Sequence, residues 1–370
     1  MNISKSSLKK NHFPVMIEEV IKICNPEIGK KIFLDCTFGG GGYSQALLNF
    51  PNAQVVAIDR DKSAIHRAEI LKKKFPKQFI FHNLKFSDLD KIINSNNKPD
   101  VIIFDLGLST FQLQDLSRGF SFKAKEKIDM QMGLSSTSAE EVINNFDEKE
   151  LRSILRVLGE EKEAGKIVKN IIKSRTKKKI QNISELVSII ERSKKKVFNK
   201  KINVCTKTFQ ALRIFVNKEI SELIAGLIKA TQSIKVGGKI IVISFHSIED
   251  KIAKYYFTNY SSNQSNPSRY LPHAEEKKDN FFERYKNKFL TPTQNELLKN
   301  NASRSAKLRF AIRTGEEYIE SLKGLQVLPP LAQDMSASEN VLLPPPTAWT
   351  GPASKGPIRR TRIRSRGEGL

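Results

Sequence analysis

Short apolar runs mark the first third of the chain and return near its end. Residues 32–35, 54–58, 78–81, 101–105 and 239–244 are each four to six residues long. They are too short for helices and are bounded by turn-forming residues, so they read as buried strands. Between the first four the spacing becomes helical, as over 63–74. Strands alternating with helices predict a parallel α/β sheet. Residues 306–313 alternate apolar and polar positions and predict a later strand.

The rhythm breaks after Asp105. From 112 to 207 no strong strand pattern occurs, and 140–158 and 161–172 carry helical spacing. This predicts a mostly helical insertion at 112–207, dividing an α/β core into 1–111 and 208–314. The second part opens on a helix over 208–230, with Phe209, Leu212, Phe215, Ile220 and Leu223 facing a core. Gly237-Gly238 then turns the chain into the last parallel strand. From 315 to 370 the composition shifts from Lys, Ile and Asn to Pro, Gly, Ser and Arg, with an Arg-rich stretch at 359–366. Such a segment buries no core and is expected to be disordered, as a tail foreign to the domain would be.

Charge adds a partner. The formal net charge is +24 and the pI about 9.8. A chain this basic suits a polyanion, because Lys and Arg displace counterions from phosphates. A generally lysine-rich surface is the plainer alternative. Cys24, Cys36 and Cys205 are far apart, with neither metal-ligand nor disulfide spacing, and no metal is expected. No apolar run reaches a membrane span and the first ten residues lack a signal core. A cytoplasmic protein is expected.

The chemistry concentrates at strand ends. Asp35-Cys36-Thr37-Phe38-Gly39-Gly40-Gly41-Gly42-Tyr43-Ser44 follows the first strand and opens a helix. Glycines permit close backbone approach, and free N–H groups at a helix start favour an anionic group. Asp59 ends the second strand, where a carboxylate accepts hydrogen bonds from ribose hydroxyls. A nucleoside cofactor fits. A dinucleotide competes, since Gly39-x-Gly41 matches part of the G-x-G-x-x-G pattern, though Ser44 replaces the third glycine. A turn that binds nothing is the third option. Asp105 ends the fourth strand, either beside the crevice as a functional carboxylate or as a cap of its own turn.

Several ordered segments go further. Among them are His12-Phe13-Pro14-Val15, Ala57-Ile58-Asp59-Arg60-Asp61, Phe104-Asp105-Leu106-Gly107-Leu108-Ser109, Arg118-Gly119-Phe120-Ser121-Phe122, Asp129-Met130-Gln131-Met132 and Gly159-Glu160-Glu161. Others are Thr208-Phe209-Gln210-Ala211-Leu212-Arg213-Ile214, Ser244-Phe245-His246-Ser247-Ile248-Glu249-Asp250 and Arg304-Ser305-Ala306-Lys307-Leu308-Arg309. With them, residues 11–313 resemble the 16S ribosomal RNA N4-cytosine methyltransferase family, the RsmH or MraW type. The resemblance implies a class I, Rossmann-like methyltransferase sheet with a helical insertion. It implies S-adenosylmethionine as cofactor and, as substrate, a cytosine in the decoding region of 16S ribosomal RNA, within the small subunit. Carried over, Gly41, Gly42 and Tyr43 contact the cofactor, Asp59 holds its ribose, Phe86 flanks its adenine, and Asp105 and Gln112 complete the pocket. The chain departs from the family at Gly40, Phe111 and Gln131, where Arg, Pro and Arg are usual, and at Tyr43, where His is usual.

A cytosine amino group is a poor nucleophile, because its lone pair is delocalised into the ring. An acceptor beside it would help it pyramidalise and lose a proton, and Asp105 is the candidate catalytic residue. Ser247-x-x-Asp250 reads as a helix-start cap rather than part of a Ser–His relay. Arg118, Arg213, His246 and the two runs Lys177, Lys178, Lys179 and Lys194, Lys195, Lys196 are candidates for RNA contact. Arg213 suits a structural salt bridge equally, and the lysines a solvated face. A dinucleotide-linked oxidoreductase and a non-catalytic ribosome-assembly factor are the competing functions. The first would retain nicotinamide on purification, and the second would bind immature subunits without altering their methylation.

Overall fold

The computed structural model describes residues 14–194, 203–261 and 280–315. The chain divides into two units, Met1–Tyr318 and Ile319–Leu370, and every described residue falls in the first. Lys195, Lys196, the His12-Phe13 end of the first motif and the tail from 316 onward lie outside the described residues.

The apolar runs form one six-stranded sheet. Its strands are β1 (Lys31–Asp35), β2 (Ala53–Asp59), β3 (Phe79–Asn83), β4 (Val101–Asp105), β5 (Lys239–Ser244) and β6 (Lys307–Ile312). The order is β3-β2-β1-β4-β5-β6, with all neighbours parallel except the antiparallel β5–β6 pair. Phe33, Ile102, Ile103, Phe104, Ile240 and Ile241 are fully buried. Helices cover both faces, which is why these strands read as continuous apolar runs rather than alternating ones. This is the Rossmann-like α/β class expected from the sequence.

In the first half the helices are α1 (Ile17–Cys24), α2 (Gly42–Leu48), α3 (Ala64–Lys74) and α4 (Thr110–Gln114). Between α4 and β5 the described residues hold only helices and loops outside one isolated bridge: α5 (Ala139–Asn145), α6 (Glu148–Val157), α7 (Ala164–Arg175), α8 (Ile183–Ser193), α9 (Thr206–Asn217) and α10 (Glu219–Ser233). After β5 come α11 (Ser247–Asn259) and α12 (Gln294–Lys299).

Two expected helices are each two. The 140–158 pattern breaks at Asp147, whose side chain accepts the Glu150 N–H while Glu150 reaches back to the Asp147 N–H. That reciprocal cap starts α6 afresh although the apolar spacing runs on. The 208–230 pattern breaks at Lys218, which adopts φ 53°. The break serves Asn217, which is fully buried. Its Oδ1 accepts from the Met132 N–H and the Ser135 hydroxyl, both at 2.7 Å, and its Nδ2 donates to the Met130 carbonyl. One amide thereby ties the 130–135 segment to the end of α9. Periodicity conveys none of this, because both halves keep the same apolar stripe.

Candidate active site

From β1 the chain moves outward through β2 to β3, then returns to lay β4 and β5 on the other side. The reversal opens a crevice at the carboxyl ends of β1 and β4, where ligands bind in open parallel sheets. A cleft enclosing about 1260 Å³, its open mouth included, lies there. It takes in the loop after β1, the first residues of α2, the ends of β2 and β4, Phe86, α4, Met132, Phe245, Glu219, Glu222 and Glu249.

Six of the seven residues expected to hold a cofactor border this cleft: Gly42, Tyr43, Asp59, Phe86, Asp105 and Gln112. Gly41 does not. It has φ 77°, and its N–H donates to the Phe38 carbonyl at 2.6 Å. A Cβ there would lie 2.8 Å from the Phe38 ring. Gly41 turns the chain into α2 rather than offering its N–H to a ligand.

The loop is held by carboxylates. Asp35, fully buried at the end of β1, accepts from the Ser44 hydroxyl at 2.7 Å. Burial pushes its carboxyl up to about 6, against that hydrogen bond. Asp59 accepts the Gly39 N–H at 2.7 Å through Oδ2 and the Asp61 N–H at 2.8 Å through Oδ1. It therefore braces the glycine loop as well as facing the cleft. A carboxylate has about four lone-pair sites, so two remain for a ligand's hydroxyls. Thr37 Oγ1 accepts the Asp105 N–H at 2.8 Å, joining the β1 and β4 ends.

Asp105 faces the crevice between these strands. Its Oδ1 is buried and has no hydrogen-bond partner among the described residues. Burial raises its carboxyl well above the usual range, Asp35 adds repulsion, and Glu249 and Glu296 add more, against the neighbouring Tyr43 hydroxyl. Tyr43 donates its proton to the Val15 carbonyl at 2.5 Å. Burial and the neighbouring carboxylates work against the ionised form of Asp105, and a cation placed beside it would favour that form.

Asp61, assigned no role from sequence, anchors the neighbouring wall. Its Oδ2 accepts from Gln112 Nε2 at 2.7 Å and Arg118 Nη1 at 2.5 Å, and its Oδ1 accepts the Ser63 N–H. Gln112 Oε1 in turn accepts the Ser109 N–H in a capping box at the start of α4. The Asp61-x-Ser63 turn pattern ahead of α3 was the available signal. Arg60 lines the cleft too, donating to the carbonyls of Asn217 and Met132.

The residues expected to meet RNA separate into two groups. Arg118 is largely buried against Asp61 and also donates to the Gln131 carbonyl at 2.6 Å. Arg213 makes a two-pronged pair with Glu219, both contacts 2.8 Å. Lys194 is 6% exposed and paired with the buried Glu161. These three cations have internal partners instead of a free surface. Lys177, Lys178 and Lys179 are exposed, with Lys178 near Glu185 at 3.5 Å and Lys179 near Glu140 at 2.9 Å. His246, not Ser247, is the N-cap of α11: its Nδ1 faces the Glu249 N–H at 3.5 Å while Glu249 accepts the His246 N–H. Ser247 instead donates to Glu160 at 2.8 Å. His246, Glu249 and Glu219 bring ligand-type atoms within 4.8 Å of one another. Arg213 already holds both Glu219 oxygens, and Glu249 is taken by His246 and two backbone N–H groups.

No helix among the described residues is long and apolar enough to cross a membrane. The MraW methylase family model matches residues 9–314. The Ribosomal RNA small subunit methyltransferase H of Ehrlichia canis (strain Jake) is 40% identical over 305 residues, covering 82% of this chain and 99% of that protein. The protein of the same name from Bartonella tribocorum is 38% identical, covering 84% and 92%, and that from Hyphomonas neptunium is 35% identical, covering 89% and 96%. With a class I sheet, a cleft at its switch point and similarity running through nearly the whole of these relatives, the chain belongs to the MraW methylase family.

Proposed function

We propose that this methyltransferase uses S-adenosylmethionine to methylate the N4 amino group of a cytosine in the decoding region of 16S ribosomal RNA, acting in the cytoplasm on the small subunit. The observation that carries the ribosomal reading is the near end-to-end similarity to relatives named as small-subunit methyltransferases. The cofactor supplies a methyl group already activated on a sulfonium. The protein's task is therefore positioning and electrostatics. Phe86 is the flat wall for adenine. It stands edge-on to Phe104 at 5.5 Å, and it presses on Gly226, where a Cβ would lie 2.8 Å from its ring. Asp59 offers its remaining lone pairs to the ribose. Asp105, ionised beside the cationic donor, accepts an amino hydrogen of the cytosine and takes up the proton released on transfer. The reacting base must leave its stack, at a cost of a few kcal/mol in typical base flipping. Lys177, Lys178 and Lys179 serve as phosphate contacts, with His246 near the base, while Arg118 and Arg213 brace the cleft walls through Asp61 and Glu219.

The test is methyl transfer from radiolabelled S-adenosylmethionine to small subunits from a strain lacking the enzyme, followed by nucleoside mass spectrometry. N4-methylated cytidine is expected. Label on another nucleoside overturns the base assignment, and no label on RNA overturns the substrate.

Asp59→Ala is expected to weaken S-adenosylmethionine binding by about 1.5–3 kcal/mol, the scale for a hydrogen bond to a charged group, with a further loss as the Gly39 loop loosens. Calorimetry reads this directly, and unchanged affinity removes Asp59 from the cofactor site.

A further inference from the structure

Glu222 sits one turn into α10 and its side chain is only 9% exposed. Lys85 Nζ approaches Oε1 at 3.4 Å, while Oε2 is buried with no hydrogen-bond partner among the described residues. A buried carboxylate oxygen without a donor is costly and uncommon, and often marks a place where a ligand supplies one. Glu222 borders the cleft, as does Phe86, the residue after Lys85. Gly226, one turn further along α10, touches the Phe86 ring through the space its missing side chain leaves. Glu222 and Phe86 thus belong to one stretch of wall.

We propose that Glu222 reads the base of the cofactor, its carboxylate accepting a hydrogen of the adenine exocyclic amino group. This rests on the cleft being the S-adenosylmethionine site with Phe86 beside the adenine. An ionised carboxylate only accepts hydrogen bonds, so it favours an amino group and opposes a carbonyl at the same position. The terminal torsion of a glutamate is broad, which leaves its unpaired oxygen free to adjust to a ligand. Asp59 already serves the ribose side, which leaves Glu222 for the base.

The experiment compares binding of S-adenosylhomocysteine and its 6-oxo analogue, S-inosylhomocysteine, by calorimetry. Wild-type protein is expected to prefer the adenine ligand by about tenfold or more, since a site built around a donor rejects the analogue lacking it. Glu222→Gln, whose amide both donates and accepts, should bring the preference close to unity. Glu222→Ala should weaken the adenine ligand and tighten the 6-oxo ligand, which no longer faces an opposing carboxylate. Thermal melts of both variants confirm folding. A wild-type preference that persists in both folded variants, or an equal loss for both ligands, overturns the assignment of Glu222 alone. Wild-type protein that binds neither nucleoside overturns the cofactor reading of the cleft, and this proposal with it.

Discussion

Asp105→Asn is expected to slow methyl transfer by about 10²-fold or more, the usual loss when a positioned acid–base or electrostatic group is removed. The substitution keeps the shape of the side chain and the Asp105 N–H bond to Thr37, so the β1 and β4 ends stay joined. RNA affinity should change little, because phosphate contacts carry most of it. The rate must be read as a single turnover at saturating cofactor and RNA, with S-adenosylmethionine affinity as a control, since Asp105 also borders the cofactor cleft. The pH dependence supplies a second signature. Burial first, and then the charge of Asp35, hold the Asp105 carboxyl well above its usual range. A proton acceptor works only when ionised, and the bound cationic donor lowers this carboxyl again, so the wild-type rate should rise with pH through the transition that Asp105 has in the cofactor complex and then level. The Asn variant should lack this limb. A near-normal saturated rate in the variant would leave Asp105 as a cofactor contact only.

Asp61→Ala is expected to cost about 3–5 kcal/mol of stability. Removing one member of a buried ion pair leaves the other charged and uncompensated. Here the stranded group is Arg118, and Gln112 Nε2 and the Ser63 N–H lose the same acceptor. Denaturant unfolding measures the loss, and a change below about 1 kcal/mol would mean that water replaces Asp61 without difficulty. The pH behaviour follows from the sign of the shift. Burial alone would raise the Asp61 carboxyl, but the hydrogen bonds from Gln112, Arg118 and Ser63 outweigh it and hold it below its usual value. A depressed carboxylate stabilises the fold fully above its unfolded value, about 3.9, and the contribution disappears as pH falls through the folded one. Wild-type protein should therefore lose more stability than Asp61→Ala on acidification below about pH 4. The variant should also bind S-adenosylmethionine more weakly, because Gln112 borders the cleft and loses its anchor.

The strands and the location of the cleft were legible in the sequence for a local reason. A strand buried on both faces must be apolar throughout, and its carboxyl end must then offer polar residues to a crevice. Asp35, Asp59 and Asp105 announce those ends, and the glycines after β1 announce the turn. What each polar side chain does there depends on partners distant in sequence. Asp61 meets Gln112 and Arg118, 51 and 57 positions away, so the local Asp61-x-Ser63 pattern signals its turn but not these partners. For the same reason the sequence could not show that Arg118, Arg213 and Lys194 have interior partners: composition counts cations, but only packing determines which are exposed. The helix breaks at Asp147 and Lys218 escaped the periodicity because apolar spacing records which face is buried, not whether the backbone is continuous. Glu222 lay unnoticed on an amphipathic helix. The sequence by itself determined the sheet, the glycine loop and the carboxylates at its rim, because short-range steric and burial rules dictate them. The tertiary structure alone decided which of those charges are already paired and which, like Asp105 and Glu222, keep an oxygen without a donor among the described residues, because pairing is a property of neighbours in space.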